Sequence, residues 1–123
     1  MPYFLTYARI GDILVVKATG DYADVQEFIA KKDEATLRIM EERARRILLD
    51  DRELTMTLDV HDAVTFADAV LEEGVPAQGL RFACLPPKTG REFYAAFETA
   101  CRNRSINYQL FEDKQAAVDW LES

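Results

Sequence analysis

Side chains suited to covalent or metal chemistry are scarce in this chain: one histidine (His61), two cysteines (Cys84 and Cys101) and two serines (Ser105 and Ser123). The cysteines form no CxxC pair and have no zinc-ligand spacing, which excludes zinc modules and dithiol redox motifs. Cys84 sits in an apolar run and Cys101 beside Ala100, so both read as buried, reduced thiols rather than a disulfide. Long hydrophobic runs are also missing. Ile13-Leu14-Val15-Val16 near the start falls far short of the roughly 20 residues that cross a bilayer. With no signal peptide legible either, a cytoplasmic location without a membrane span is expected, and the sequon Asn103-Arg104-Ser105 carries no weight. Positive charge is in deficit, with 15 Lys and Arg against 22 Asp and Glu and a net charge of −7. That balance argues against nucleic-acid phosphates and anionic membranes as partners. Linkers, repeats and low-complexity tracts are absent, so residues 1–123 are expected to form one domain with a real core.

What is present is a regular alternation of strand and helix signals, in a chain 49% hydrophobic and 30% charged. Tyr3 to Arg9 is rich in β-formers, Gly11-Asp12 breaks it, and Ile13 to Thr19 is a second β-prone run. So short a turn predicts an antiparallel hairpin. Apolar residues from Val25 to Ala44 then recur at helical spacing, predicting one helix over Ala23 to Arg45 or two pieces parted near Asp33, with Asp33 as a cap. Ile47-Leu48-Leu49 suits a strand buried on both faces. Val60, Ala63, Val64, Ala67, Val70 and Leu71 form a helical stripe, with Thr57 or Asp59 to cap it and Gly74 and Pro76 beyond its end. Leu80 to Leu85 reads as a strand stopped by Pro86-Pro87. Gly90 to Asn103 reads as a helix with Phe93, Phe97, Ala100 and Cys101 inward. Tyr108 to Phe111 is the last strand, and Asp113 caps a final helix with Ala117, Trp120 and Leu121 on its apolar face. A hairpin followed by βα repeats predicts an α/β fold with a five-stranded mixed sheet, parallel after its first strand, and about four helices.

This order, together with Ile47-Leu48-Leu49-Asp50-Asp51-Arg52-Glu53-Leu54, Phe97-Glu98, Asn103-Arg104 and Val118-Asp119-Trp120-Leu121, resembles the bacterial SpoIIAA-like proteins of the STAS and Sec14-type superfamily, which includes the anti-sigma-factor antagonists. The resemblance spans nearly the whole chain. It implies strands in sequential order, with an antiparallel first strand and a partial right-handed superhelix. In classical antagonists a serine at the start of the helix after the third strand accepts phosphate from a partner kinase. The matching stretch here is Leu58-Asp59-Val60-His61-Asp62, so valine or histidine stands in that place. Thr55 and Thr57 lie nearby and read as turn and cap residues.

Ligands of parallel α/β sheets gather beyond the carboxyl ends of the strands. That edge is expected to carry Asp50-Asp51-Arg52 as a charged loop that binds a ligand or partner, or one that is held by an internal ion pair to Arg104 or Arg91. Lys88 and Arg91 precede a helix and offer an anion contact, although the P-loop pattern is lacking and Thr89 as a cap accounts for the same residues. His61, between Asp59 and Asp62, reads as a solvated helix residue without a marked nucleophile beside it. Phe66 falls outside the helical stripe and, with Leu58 and His61, marks an expected contact surface.

These features favour a non-enzymatic regulatory or scaffold domain that binds another protein through the strand-end edge and the Val60–Glu73 helix, with self-association as one form. A small apolar-ligand or lipid carrier of the Sec14 type is the alternative. An enzyme would require Asp50, Asp51, Arg52 and His61 to converge in one cleft. No catalytic residue, metal or cofactor is expected.

Overall fold

The computed structural model describes residues 4–123, except for the side chains of 76 and 77. Its elements run β1 (Phe4–Ile10), β2 (Ile13–Tyr22), α1 (Val25–Glu41), β3 (Arg46–Met56), α2 (Val60–Glu72), a short 3-10 turn (Val75–Gln78), β4 (Arg81–Leu85), α3 (Arg91–Asn103), β5 (Asn107–Leu110) and α4 (Lys114–Glu122). The sheet order is β1-β2-β3-β4-β5. β1 pairs antiparallel with β2 across the Gly11-Asp12 turn, and every later pair is parallel. This is the mixed sheet expected from the sequence, because each parallel neighbour needs a crossover and a helix supplies it. Tyr3 lies outside the described residues. Among those described, no helix is long and apolar enough to cross a membrane.

The period-2 alternation of the strands divides the core. Ile13, Val15, Leu48, Ala83 and Leu85 face α4 and bury Ala117, Val118 and Leu121. Leu14, Val16 and Ile47 face the other way, against Ala35 and Ile39 of α1. On that same face Ala18, Tyr22, Leu54, Met56, Cys84 and Tyr108 meet the aromatic side chains of α1, α2 and α3. Three helices therefore cover one face of the sheet and one helix the other.

Several local expectations change once the chain is folded. α1 is one continuous helix capped by Asp24, whose side chain accepts from the Gln26 amide at 2.8 Å, and Asp33 lies within it. The aromatic and aliphatic residues on either side of the charged stretch share one buried face, so the helix runs through the charges. β3 extends to Met56, so Asp50, Asp51 and Arg52 are strand residues rather than a loop. A register shift accompanies them: Lys17 pairs with Asp50 but Thr19 with Glu53, leaving Asp51 and Arg52 opposite Ala18 alone. This β-bulge resets the alternation. Without the extra residue, Leu54 and Met56 would point away from the three-helix core that they help to fill.

α2 carries the largest correction. Its buried residues are Ala63, Phe66, Ala67 and Val70, while Val60, Val64 and Leu71 are 46%, 44% and 39% exposed. Phe66 packs with its ring centroid 4.8 Å from Phe28 and 5.0 Å from Phe97, and Leu58 is buried as well. A contact surface made of Leu58 and Phe66 is therefore not what the fold displays. A helix apolar over more than half its circumference has two candidate faces, and the aromatic cluster selected the one with the larger ring.

Thr89 does not cap α3. Its hydroxyl accepts from the Met56 amide at 2.9 Å, which ties the end of β3 to the approach of α3. The cap is Gly90, at φ 69° and ψ 24°. A side chain there meets both a backbone conformation unfavourable to L-residues and the Met56 side chain, whose Cβ would lie 2.7 Å from the new methyl. Gly90→Ala is expected to destabilise the fold by about 2–4 kcal/mol, the sum of left-handed strain and overpacking. Urea denaturation followed by circular dichroism measures it, and a midpoint equal to wild type contradicts the assignment.

Candidate functional site

Asp51, which the alternation from Ile47 and Leu49 places on the three-helix side just before the register shift, is the most unusual residue of the core. It is 2% exposed, and Lys31 of α1, facing it, is 6% exposed. Charges are rarely carried into a protein interior unless paired and hydrogen-bonded. Here Asp51 Oδ2 accepts from the Tyr94 hydroxyl of α3 at 2.7 Å and lies 3.9 Å from the Cys84 thiol of β4. Its Oδ1 lies 3.5 Å from Lys31 Nζ and has no hydrogen-bond partner among the described residues. The ammonium sits 4.4 Å above the Phe28 ring, a second source of attraction for the charge.

These groups border a cavity of about 80 Å³ between the sheet and α1, α2 and α3. Its walls are mostly apolar: Val16, Ile39, Val70 and the rings of Phe28, Phe66, Phe93, Phe97 and Tyr108. Lys32 and Glu73, paired at 2.6 Å and more exposed than Lys31 and Asp51, form the rim nearer solvent. Glu73 Oε2 is also buried without a hydrogen-bond partner. Burial, and after it the negative charge of Asp51, pushes the Cys84 thiol and the Tyr94 hydroxyl well above their ordinary ranges. Tyr108 is pushed up chiefly by burial, and Cys101, buried elsewhere in the core, rises to about 12. Both cysteines are free and buried, so at neutral pH they are protonated thiols, poor nucleophiles and poor metal ligands.

The other sequence-derived candidates are dispersed. Asp50 and Arg52 point to the opposite face of the sheet from Asp51 and hold each other in a two-pronged ion pair, with Nε to Oδ1 and Nη2 to Oδ2 both at 2.9 Å. That pair keeps the Asp50 carboxyl below its usual range. Neither Arg91 nor Arg104 is its partner: Arg91 binds Glu112 at 2.6 Å and Arg104 binds Asp68 at 2.9 Å. Lys88 is exposed. His61 is exposed on α2, beside a capping box in which Asp59 and Asp62 accept from each other's amides at 3.0 Å. The convergence of Asp50, Asp51, Arg52 and His61 that an enzyme reading required is not formed. Among the described residues no three His, Cys, Asp or Glu side chains are grouped to hold a metal.

Asp51 was legible from sequence as a charged residue of interest, but its partners Lys31, Tyr94 and Cys84 were not. The available signal was weak: Lys31 falls three residues after Phe28 and four before Ala35 on the buried side of α1, and Asp51 continues the alternation of Ile47 and Leu49.

No protein-family model matches the sequence, and no curated protein does. Similarity is found among solved structures. The anti-sigma factor antagonist SpoIIAA in its unphosphorylated form superposes with a TM-score of 0.57 at 15% identity, over 98% of this chain and 99% of that one. An uncharacterised DUF3478-family protein with a SpoIIAA-like fold from Shewanella loihica PV-4 superposes with a TM-score of 0.52 at 22% identity, over 97% and 93%. At these identities the likeness is one of fold.

Proposed function

We propose that this SpoIIAA-like chain is a non-enzymatic regulatory or scaffold domain that works by protein–protein interaction, with the outer flank of α2 as its docking surface. The observation that carries the reading is the exposure of Val60, Val64 and Leu71. At about 100° per residue these side chains fall within about 40° of one another, so they make one apolar strip along the helix. A flank of this kind is the usual starting point of an interface when its neighbours are polar, and His61 and Asp68 border it on the same helix. The likeness in fold to an anti-sigma factor antagonist supports regulation by binding. The phosphorylation switch implied by the sequence resemblance is missing from this reading, because the first turn of α2 is Val60-His61-Asp62 under an Asp59 cap.

Lipid carriage is less well supported. A cavity of about 80 Å³ is roughly half the size of the ~150 Å³ cavity that accepts a single benzene ring, and an acyl chain is much larger.

In the test, immobilised wild-type protein and the Val60→Ser/Val64→Ser/Leu71→Ser variant are exposed to native lysate. A stoichiometric protein partner is expected on the wild type, with at least tenfold less on the variant. Light scattering on both proteins separates self-association from capture of another chain. A monomeric wild type that retains no stoichiometric partner would overturn the reading.

A further inference from the structure

We infer that the cavity between the sheet and the three helices is a binding site for a compact, mostly apolar alcohol, whose hydroxyl bridges Asp51 and Lys31. This is a site distinct from the α2 surface, and it rests on different observations.

The first is the geometry of the buried pair. A charged N–H···O hydrogen bond closes to about 2.7–2.9 Å, yet Lys31 Nζ and Asp51 Oδ1 stand 3.5 Å apart. Meanwhile Oδ2 of the same carboxylate is satisfied by Tyr94 at 2.7 Å, so α3 and β3 hold the Asp51 side chain in place and Oδ1 has no hydrogen bond from any of the described residues. A hydroxyl oxygen fits at hydrogen-bond distance from both atoms, donating its proton to Oδ1 and accepting from the ammonium. A carboxylate or phosphate would meet Asp51 as a like charge, and a bare ammonium would meet Lys31 in the same way. The hydroxyl is the small group that satisfies both neighbours at once.

The second observation is the wall. The cavity of about 80 Å³ has room for more than one water. A buried water needs two to four polar partners. One finds them at Lys31 and Asp51, but the space between that pair and the Lys32–Glu73 rim is bounded by Phe28, Phe66, Phe93 and Phe97. An alkyl group occupies such space without losing hydrogen bonds. The cavity thus combines one hydroxyl position with an apolar volume of about one or two carbon atoms.

The test uses two isomers of formula C2H6O, ethanol and dimethyl ether, small enough for a cavity of about 80 Å³, titrated into the wild-type protein and followed by methyl and amide chemical shifts. They match in atoms and differ in the O–H donor. Saturable shifts confined to cavity residues such as Ile39, Val70 and Phe97 are expected, with ethanol binding about tenfold more tightly than the ether. A site built to hydrogen-bond a hydroxyl discriminates on that scale, and more strongly when the acceptor is charged. In Asp51→Asn, which keeps the side-chain shape, the difference is expected to shrink below threefold. Equal affinity for the isomers, or no saturable binding of either, would overturn the proposal. The wild-type comparison decides it even if the variant does not fold.

Discussion

Replacing Asp51 with leucine is expected to cost the fold about 3–5 kcal/mol, the range seen when one member of a buried ion pair is removed. The substitution leaves the Lys31 ammonium inside an apolar wall without its counter-charge, and it removes the acceptor of the Tyr94 hydroxyl. Lys31→Met is expected to be disruptive for the mirror-image reason, since it leaves a buried carboxylate with only neutral donors. The double variant Lys31→Met/Asp51→Leu is expected to recover most of the loss, because two apolar side chains of similar volume replace two desolvated charges. Urea denaturation of the four proteins completes a double-mutant cycle. If the two single losses simply add in the double variant, the charges do not act as a pair, and the description of the site fails.

A second large effect is expected at alkaline pH. Cys84, Tyr94 and Tyr108 are all held above their ordinary values of 9.0, 10.0 and 10.0. Each therefore keeps its proton in the folded chain at a pH where the unfolded chain has released it. The unfolded state then binds fewer protons than the native state, and stability falls as pH rises. The contribution is intact below about pH 9 and is lost progressively above it, first through Cys84 and then through the two tyrosines. Each group adds a slope of about 1.4 kcal/mol per pH unit, and Cys101, held up to about 12, adds a fourth, for a total of about 5–6 kcal/mol per unit once all four ionise in the unfolded chain. Thermal and urea unfolding between pH 8 and 11 measure this slope. In Tyr94→Phe it is expected to drop by about a quarter, although that variant starts lower for want of the hydrogen bond to Asp51. A stability that stays flat from pH 8 to 11 would mean that these side chains reach solvent before they ionise.

The sequential strand order was implied by the family resemblance, while sequence alone determined the element order, the mixed sheet, the buried free cysteines and the inward face of α3. These follow from local signals: a two-residue turn forces a hairpin, strands joined by helices must run parallel, and Phe93, Phe97, Ala100 and Cys101 share a single apolar stripe with no competing one. Local signals could not settle three further points. α2 offers two apolar faces, and only the aromatic cluster contributed by α1 and α3 shows why Phe66 goes in and Val60, Val64 and Leu71 stay out. The length of β3 depends on pairing with β2 across a bulge, and one extra residue in register reverses the facing of everything beyond it. Asp50 and Asp51 are neighbours in sequence and opposites in space: both are buried, but one is held by Arg52 on one face of the sheet and the other meets Lys31 and Tyr94 on the opposite face. Partners 20 and 43 residues away along the chain leave no periodic trace in it. The candidate site was therefore decided by tertiary structure, since a buried charge is tolerated only where distant elements bring its counter-charge and hydrogen-bond donors to the same point.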